Sequence, residues 1–260
     1  MITSVQIGNN GRLGNQMFQF AAMVGTAKMR GLDWYLHEED NVFWEIFNLK
    51  NTKKLTTEKR KEIKFQYKET SFYFNPNVFM MGANTDLYGY FQSPVYFLNC
   101  YDLVREELTF VGKIRDESKL KMSSYVNEND ITCSIHVRRT DYLKTPDYHP
   151  TCEKQYYENA KNIVKNSINK KVKFLIFGDD YEWIEKNIFD DDCVIVKNNS
   201  AEVDMQLMSM CNIHIIANSS FSWWAAMLGN YNSVIAPKKW FGPKGPRNWD
   251  SIYLESWVKI

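Results

Sequence analysis

The second half of the chain alternates between two kinds of segment, and that alternation restricts its fold more than any other feature. Short runs rich in Val, Ile and Phe occupy 131–137, 172–177, 193–196, 213–217 and 233–236. Between them lie longer segments with helical apolar spacing, at 152–168, 181–188, 201–211 and 221–228. Four helical crossovers in about 105 residues predict a doubly wound, parallel α/β sheet. The chain opens in the same way. A strand at 2–7 is followed by Gly8, Gly11 and Gly14, then by a helix over 17–28 with Met17, Phe20, Ala21, Val24 and Ala27 on one face. Gly31 is a stop signal, and 32–37 resembles a second strand. Such a βαβ unit implies parallel strands and ligands at their carboxyl ends.

A charged, helical stretch at 113–122 and a polar segment at 123–130 read as the passage between two domains, 1–122 and 123–248, with a tail at 249–260 that packs back on the body. The hydrophobic content of 44% and charged content of 24% are those of a folded protein rather than a disordered one. Charge is unevenly placed. Met205 to Pro237 is 33 residues without Asp, Glu, Lys or Arg, where about 8 are expected. Asn212, His214, Asn218, Ser219, Ser220, Ser222 and Asn230 interrupt that run, so it does not read as a transmembrane segment and suits the middle of a globular domain. The stretch 50–68 is basic and reads first as a solvated helix or loop; contact with an anionic membrane surface or a phosphate-bearing acceptor is the other reading. Five cysteines without a C-x-x-C pair, and no leader-like N-terminus, favour a reducing, cytoplasmic setting. A net charge of +1 argues against a nucleic-acid partner but not against one local anion site.

The strongest constellation is Ile135-His136-Val137-Arg138-Arg139-Thr140-Asp141, where a strand runs into a loop. Alternation places His136 and Arg138 on one face and Arg139 on the other. A strand-end Arg can grip a phosphate through two N–H bonds, and Asp141 can orient that Arg or bond a hydroxyl. A structural Arg–Asp pair beside a buried His is the bland alternative. Next comes Asn218-Ser219-Ser220-Phe221-Ser222-Trp223-Trp224, between a strand and a helix. Small hydroxyl residues cap a helix N-terminus, whose free N–H groups and dipole favour an anion. This turn and the Arg138 loop should share one sheet edge and could hold two phosphates. Asp204 opens the preceding helix, either as a dipole partner or as an acceptor for a guanine edge.

The Gly8–Gly14 loop does not match G-x-G-x-x-G, which disfavours a nicotinamide-dependent oxidoreductase. Arg12, Asn15 and Gln16 in that loop can hydrogen-bond sugar hydroxyls or simply cap a helix. The four histidines are scattered and no H-E-x-x-H or D-x-D occurs, so no metal is expected. Trp223, Trp224 and Trp240 leave open a non-catalytic carbohydrate-binding protein that stacks on sugars, although the first two fall within a helical pattern that favours the core.

Three blocks together resemble the α-1,2-fucosyltransferases of glycosyltransferase family 11. They are Gly11-Arg12-Leu13-Gly14-Asn15-Gln16-Met17-Phe18-Gln19-Phe20, then His136-Val137-Arg138-Arg139-Thr140-Asp141, an H-x-R-R-x-D motif shared with α-1,6- and protein O-fucosyltransferases, and finally Asp204 through Trp224. The resemblance implies a GT-B-like pair of Rossmann-type domains facing a cleft, the first binding acceptor and the second the GDP-sugar. It implies inverting, metal-independent transfer of L-fucose from GDP-β-L-fucose to O2 of a terminal galactose, on an oligosaccharide or lipid-linked glycan. Another GDP-6-deoxyhexose donor is the alternative. Carried onto this sequence, Arg138 contacts the β-phosphate, with Asp141 the nearest nameable base. His136 and Asp204 hold the guanosine. Ser219, Ser220 and Phe221 close on the phosphates, with Arg139 and Asn218 among the donor-binding residues. Arg12, Asn15 and Gln16 line the fucose and acceptor side. The absence of an N-terminal anchor pattern resembles the soluble microbial members, with a peripheral membrane association left open.

Overall fold

The computed structural model describes residues 1–38 and 41–260. The chain forms two compact units, Met1–Val111 with Arg247–Leu254, and Gly112–Pro246 with Glu255–Ile260. The first comprises β1 (Ile2–Thr3), α1 (Leu13–Arg30), β2 (Trp34–His37), α2 (Phe43–Ile46), β3 (Lys53–Leu55), α3 (Thr57–Arg60), β4 (Phe65–Lys68), β5 (Thr85–Tyr88) and α4 (Tyr101–Glu107). The second comprises α5 (Gly112–Tyr125), β6 (Ile131–Val137), α6 (Lys154–Ser167), β7 (Val172–Gly178), α7 (Tyr181–Asn187), β8 (Cys193–Ile195), α8 (Ala201–Ser209), β9 (Ile213–Ile215), α9 (Ser220–Leu228), β10 (Val234–Ala236) and β11 (Val258–Lys259).

In the first unit a parallel sheet runs β3-β2-β1-β5-β4. The apolar face of α1 is wholly buried, and Gly31 ends the helix at φ +62, a conformation that favours glycine. The first strand is two residues long rather than the six expected from 2–7. Beyond Thr3 the Val5 N–H bonds the Asp86 carboxylate at 2.9 Å, and the chain turns through Gly8 at φ +102. The basic stretch 50–68 is not a plain solvated helix or loop: it supplies β3, α3 and β4. Several of its cations pair with carboxylates, Lys50 with Glu106, Lys53 with Asp33, Lys54 with Glu38 and Lys59 with Glu62.

The second unit's parallel sheet runs β11-β10-β9-β6-β7-β8. Read from β8, that is the 3-2-1-4-5-6 order of a dinucleotide-binding sheet, and its strand order reverses between β6 and β9. Ile135, Phe174, Ile176 and Ile215 fill the core between this sheet and its helices. The charged helix α5 belongs to this unit, packing on α8, so the division falls at 111/112 rather than 122/123. The C-terminal tail is shared: 247–254 joins the first unit, and 255–260 adds β11 beside β10. Trp223, Trp224 and Trp240 are buried to within 2% of full, so none offers a face for stacking on a sugar. Among the described residues, no helix is long and apolar enough to cross a membrane.

Candidate functional site

The reversal between β6 and β9 is where the carboxyl ends of a doubly wound sheet open a crevice. The loop after β6 carries Arg138, and the turn after β9 carries Asn218 to Phe221. His136, inside β6, is buried at 6% exposed, while Arg138, one residue past the strand's end, is partly open. Burial drives the His136 imidazole down to about pKa 4, with the Arg138 charge adding and Asp179 opposing, so the ring is neutral near pH 7. Its Nδ1 is buried without a hydrogen-bond partner, and its ring lies 5.4 Å from that of Phe221 at the start of α9.

Arg138 is held by two carboxylates, Asp141 Oδ1 at 2.5 Å and Asp179 Oδ2 at 2.8 Å. Asp179 follows β7, where Gly178 pairs in register with Val137. A Cβ on Gly178 would lie 2.8 Å from the Val137 carbonyl oxygen, so the strands approach closely only with glycine there. Asp179 also accepts from the Arg139 N–H at 2.8 Å and the Thr140 hydroxyl at 2.8 Å. One carboxylate thus shapes the whole Arg138–Thr140 loop. Sequence reasoning missed it; the available signal was its place directly after a strand adjacent to β6.

Arg139 is not brought together with His136 and Arg138. Its side chain is buried, its guanidinium lies 4.2 Å from the Trp183 ring centroid, and its Nε donates to Asp180 at 3.3 Å. Asp180 in turn caps α7, so Arg139 is committed to fixing that helix. Alternation sends Arg139 to the side of the strand opposite His136.

The Asn218 side chain is likewise spent on structure, donating to the Pro150 and Trp240 carbonyls at 2.9 Å each. These two bonds fix the turn. Ser219 caps α9, its Oγ accepting from the Phe221 N–H, and Ser220 is the first helical residue. The helix then carries no charged side chain, so its N-terminus presents a neutral dipole. Tyr142 joins the two loops: its hydroxyl donates to the Asn218 carbonyl at 3.0 Å, and its ring centroid lies 5.5 Å from the Arg138 Cζ.

Asp204 lies in the first turn of α8, half-buried, accepting from Asn199 Nδ2 at 2.8 Å. Asn199 accepts in turn from Lys121 of α5. Burial raises the Asp204 carboxyl to about 6, against the opposing Asn199 bond and Lys121 charge.

The first sheet has its own reversal, between β1 and β5. Gly11 stands at φ +79, and a Cβ there would approach the Asn15 side chain to 2.7 Å. Arg12 precedes α1 and is exposed. Asn15 Oδ1 accepts from Gln92 Nε2 at 2.8 Å, and Gln16 Nε2 donates to the Gly11 carbonyl at 2.9 Å, leaving a buried Gln16 Oε1 without a partner. Gln92, after β5, is the residue that sequence patterns did not expose. Among the described residues no cluster of three or more His, Cys, Asp or Glu could hold a metal ion.

The sequence profile of Glycosyl transferase family 11 matches residues 2–260. The chain is 37% identical over 190 residues to an Escherichia coli α-1,2-colitosyltransferase, covering 69% of this chain and 64% of that protein, so it spans less than two thirds of that relative. It is 22% identical over 243 residues to the Bos taurus galactoside α-(1,2)-fucosyltransferase 1, covering 88% and 67%. Its fold matches crystals of the Bradyrhizobium α-1,6-fucosyltransferase NodZ soaked with GDP-fucose, with a TM-score of 0.55, 13% identity and coverage of 88% and 92%. Two parallel-sheet α/β units are the GT-B-like class expected from the sequence.

Proposed function

The chain belongs to glycosyl transferase family 11, and on that premise we propose that it transfers L-fucose from GDP-β-L-fucose to O2 of a terminal galactose. The observation that carries this reading is that the loop with Arg138, after β6, and the uncharged α9 N-terminus, after β9, follow the two strands at the order reversal of a dinucleotide-type sheet. An arginine and helix N–H groups are the donors a diphosphate takes in the absence of a metal.

In the reaction the acceptor O2 attacks the fucose anomeric carbon on the face opposite the phosphate. The carbon–oxygen bond to the β-phosphate breaks, and the β-linked donor yields an α-linkage. Negative charge grows on the departing GDP. Arg138, with the uncharged N-terminal dipole of α9, stabilises that charge more in the transition state than in the ground state. An oxocarbenium-like displacement makes little demand on a base, and Asp141 is the nearest nameable carboxylate to take the acceptor proton. His136 and Asp204 receive the guanosine, and Arg12, Asn15 and Gln16 the sugar and acceptor. The acceptor is a galactose-terminated oligosaccharide or lipid-linked glycan.

Arg138→Ala tests the reading. Transfer, measured as GDP release with NMR of the linkage formed, should be lost while the melting temperature stays near that of the parent. GDP should raise the parent's melting temperature without Mg²⁺ or Mn²⁺. Full activity in Arg138→Ala removes that residue from the mechanism. The 37% identity to a colitosyltransferase favours a second reading, GDP-colitose as donor. Colitose is fucose without its 3-hydroxyl, so the two donors compared side by side distinguish the readings.

A further inference from the structure

We propose that Tyr142 is a positioning residue for the donor diphosphate, coupling the Arg138 guanidinium to the Asn218–Ser219 turn. The proposal rests on the donor-site reading above. Its basis is a set of contacts that meet on one side chain. The Tyr142 ring centroid is 5.5 Å from Arg138 Cζ, within cation–π range. Its hydroxyl donates to the Asn218 carbonyl at 3.0 Å. The ring stacks on His149 with centroids 4.6 Å apart and planes 15° apart. His149 is itself packed against Phe241 at 5.6 Å, and the Asn218 side chain is anchored at both Pro150 and Trp240. Tyr142 is therefore fixed from several sides, and so is the turn it reaches.

Its value lies in what a phosphate can and cannot displace. Asp141 and Asp179 hold Arg138 through the same N–H groups that a diphosphate needs. When the anion arrives, those carboxylates compete with it. A ring face does not compete: it attracts the cation through its quadrupole and offers no acceptor for the N–H groups. Tyr142 is thus the partner that keeps the guanidinium in place while its carboxylate contacts are exchanged. The hydroxyl performs the second half of the task, setting the spacing between Arg138 and the α9 N-terminus, the two sides that grip the phosphates.

The test compares Tyr142→Phe, Tyr142→Leu, Arg138→Ala and the Arg138→Ala/Tyr142→Leu pair, with GDP affinity by calorimetry and steady-state kinetics with GDP-fucose. Tyr142→Phe keeps the ring and loses the tether; we expect the donor KM to rise about three- to tenfold with kcat within about twofold. Tyr142→Leu loses both contacts and should weaken GDP binding about tenfold or more. In the Arg138→Ala background the leucine change should have much less effect, because the two side chains act as one unit. Parental KM and GDP affinity in a folded Tyr142→Phe and Tyr142→Leu, or full additivity in the pair, overturns the proposal. If the parent binds no GDP, the donor-site reading itself falls. If Tyr142→Leu fails to fold, the KM-against-kcat split in Tyr142→Phe decides the matter.

Discussion

Asp179 allows the two demands on the Arg138 loop to be separated. Its Oδ1 accepts from the Arg139 N–H at 2.8 Å, and its Oδ2 accepts from the Thr140 hydroxyl and Arg138 Nη1 at 2.8 Å each. Asp179→Ala removes all of these bonds. A hydrogen bond to a charged group is worth about 1.5–3 kcal/mol, but Thr140 is exposed and can turn to water, and Arg138 keeps Asp141, so a total loss of about 2–3 kcal/mol is expected. The loop then loses its fixed shape and GDP binds more weakly. Asp179→Asn behaves differently. The amide oxygen still accepts from the Arg139 N–H, while the negative charge beside Arg138 is gone. A carboxylate about 7 Å from an incoming phosphate, across one guanidinium, repels it by about 0.6–1.2 kcal/mol at effective dielectrics of about 80 to 40. Removing it should tighten GDP about three- to eightfold, at a stability cost of about 1 kcal/mol. Urea denaturation and calorimetric GDP titration of both variants measure the two quantities independently. Asp179→Asn weakening GDP as much as Asp179→Ala would refute the competition between carboxylate and phosphate.

Two further outcomes follow from buried titratable groups. Burial raises Asp204 to about 6, so its ionised form, the one able to accept from a guanine edge, is lost as pH falls through that value; GDP affinity should drop between about pH 7 and 5, and Asp204→Asn should flatten that step in a titration series. His136 and His214 are both driven down to about 4, chiefly by burial. The unfolded chain protonates them below its ordinary value of about 6.5, so stability is intact above that pH and declines as pH falls toward 4. Melting temperatures followed from pH 7 to 4.5 should decline less in His214→Gln than in the parent, and an unchanged pH profile would remove His214 from that account.

What the sequence disclosed depended on where each element lies in its sheet. The inner strand β7 is a near-continuous apolar run from Phe174 to Phe177, and β6, though Thr132, Ser134 and His136 interrupt it, is buried along almost all of its length; such segments are readable. β3 and β4 sit at the two edges of the first sheet and are largely exposed, so their residues, Lys53, Lys54 and the Phe65–Lys68 segment, resemble a solvated loop. The His136–Asp141 motif was visible for the same local reason: His136 stands next to last in a buried strand and Arg138 follows that strand directly, which one stretch of sequence records. Asp179, Tyr142 and Gln92 were not visible as site residues, because each acquires its meaning from a neighbour distant in sequence or across a loop. The register of Gly178 against Val137 delivers Asp179 to Arg138, and no local pattern encodes a register. Arg139 was legible in its geometry, since alternation directed it away from His136, toward Asp180 and Trp183.

The charge pattern of the second unit now has a physical reading. A cation placed at a strand end and partly buried costs desolvation unless it is paired. Arg138 is paired twice over, with Asp141 and Asp179, and Arg139 with Asp180 and, at 3.9 Å, Glu153, so the two-arginine motif stands among four carboxylates. That arrangement leaves the resting loop without excess positive charge, so under the proposed donor-site reading Arg138 would meet the diphosphate as part of a neutralised cluster. On this view the grip cannot work by charge alone, because an approaching diphosphate meets carboxylates as well as the guanidinium. Discrimination must come from geometry: the anion has to reach Arg138 and the α9 N-terminus together, at the spacing that the Tyr142 hydroxyl sets. A single phosphate that reaches Arg138 only must displace a carboxylate without the helix N–H groups in compensation. Inorganic phosphate should therefore bind far more weakly than GDP, beyond what the missing guanosine accounts for, and pyrophosphate should recover part of that difference in the parent but not in Tyr142→Leu.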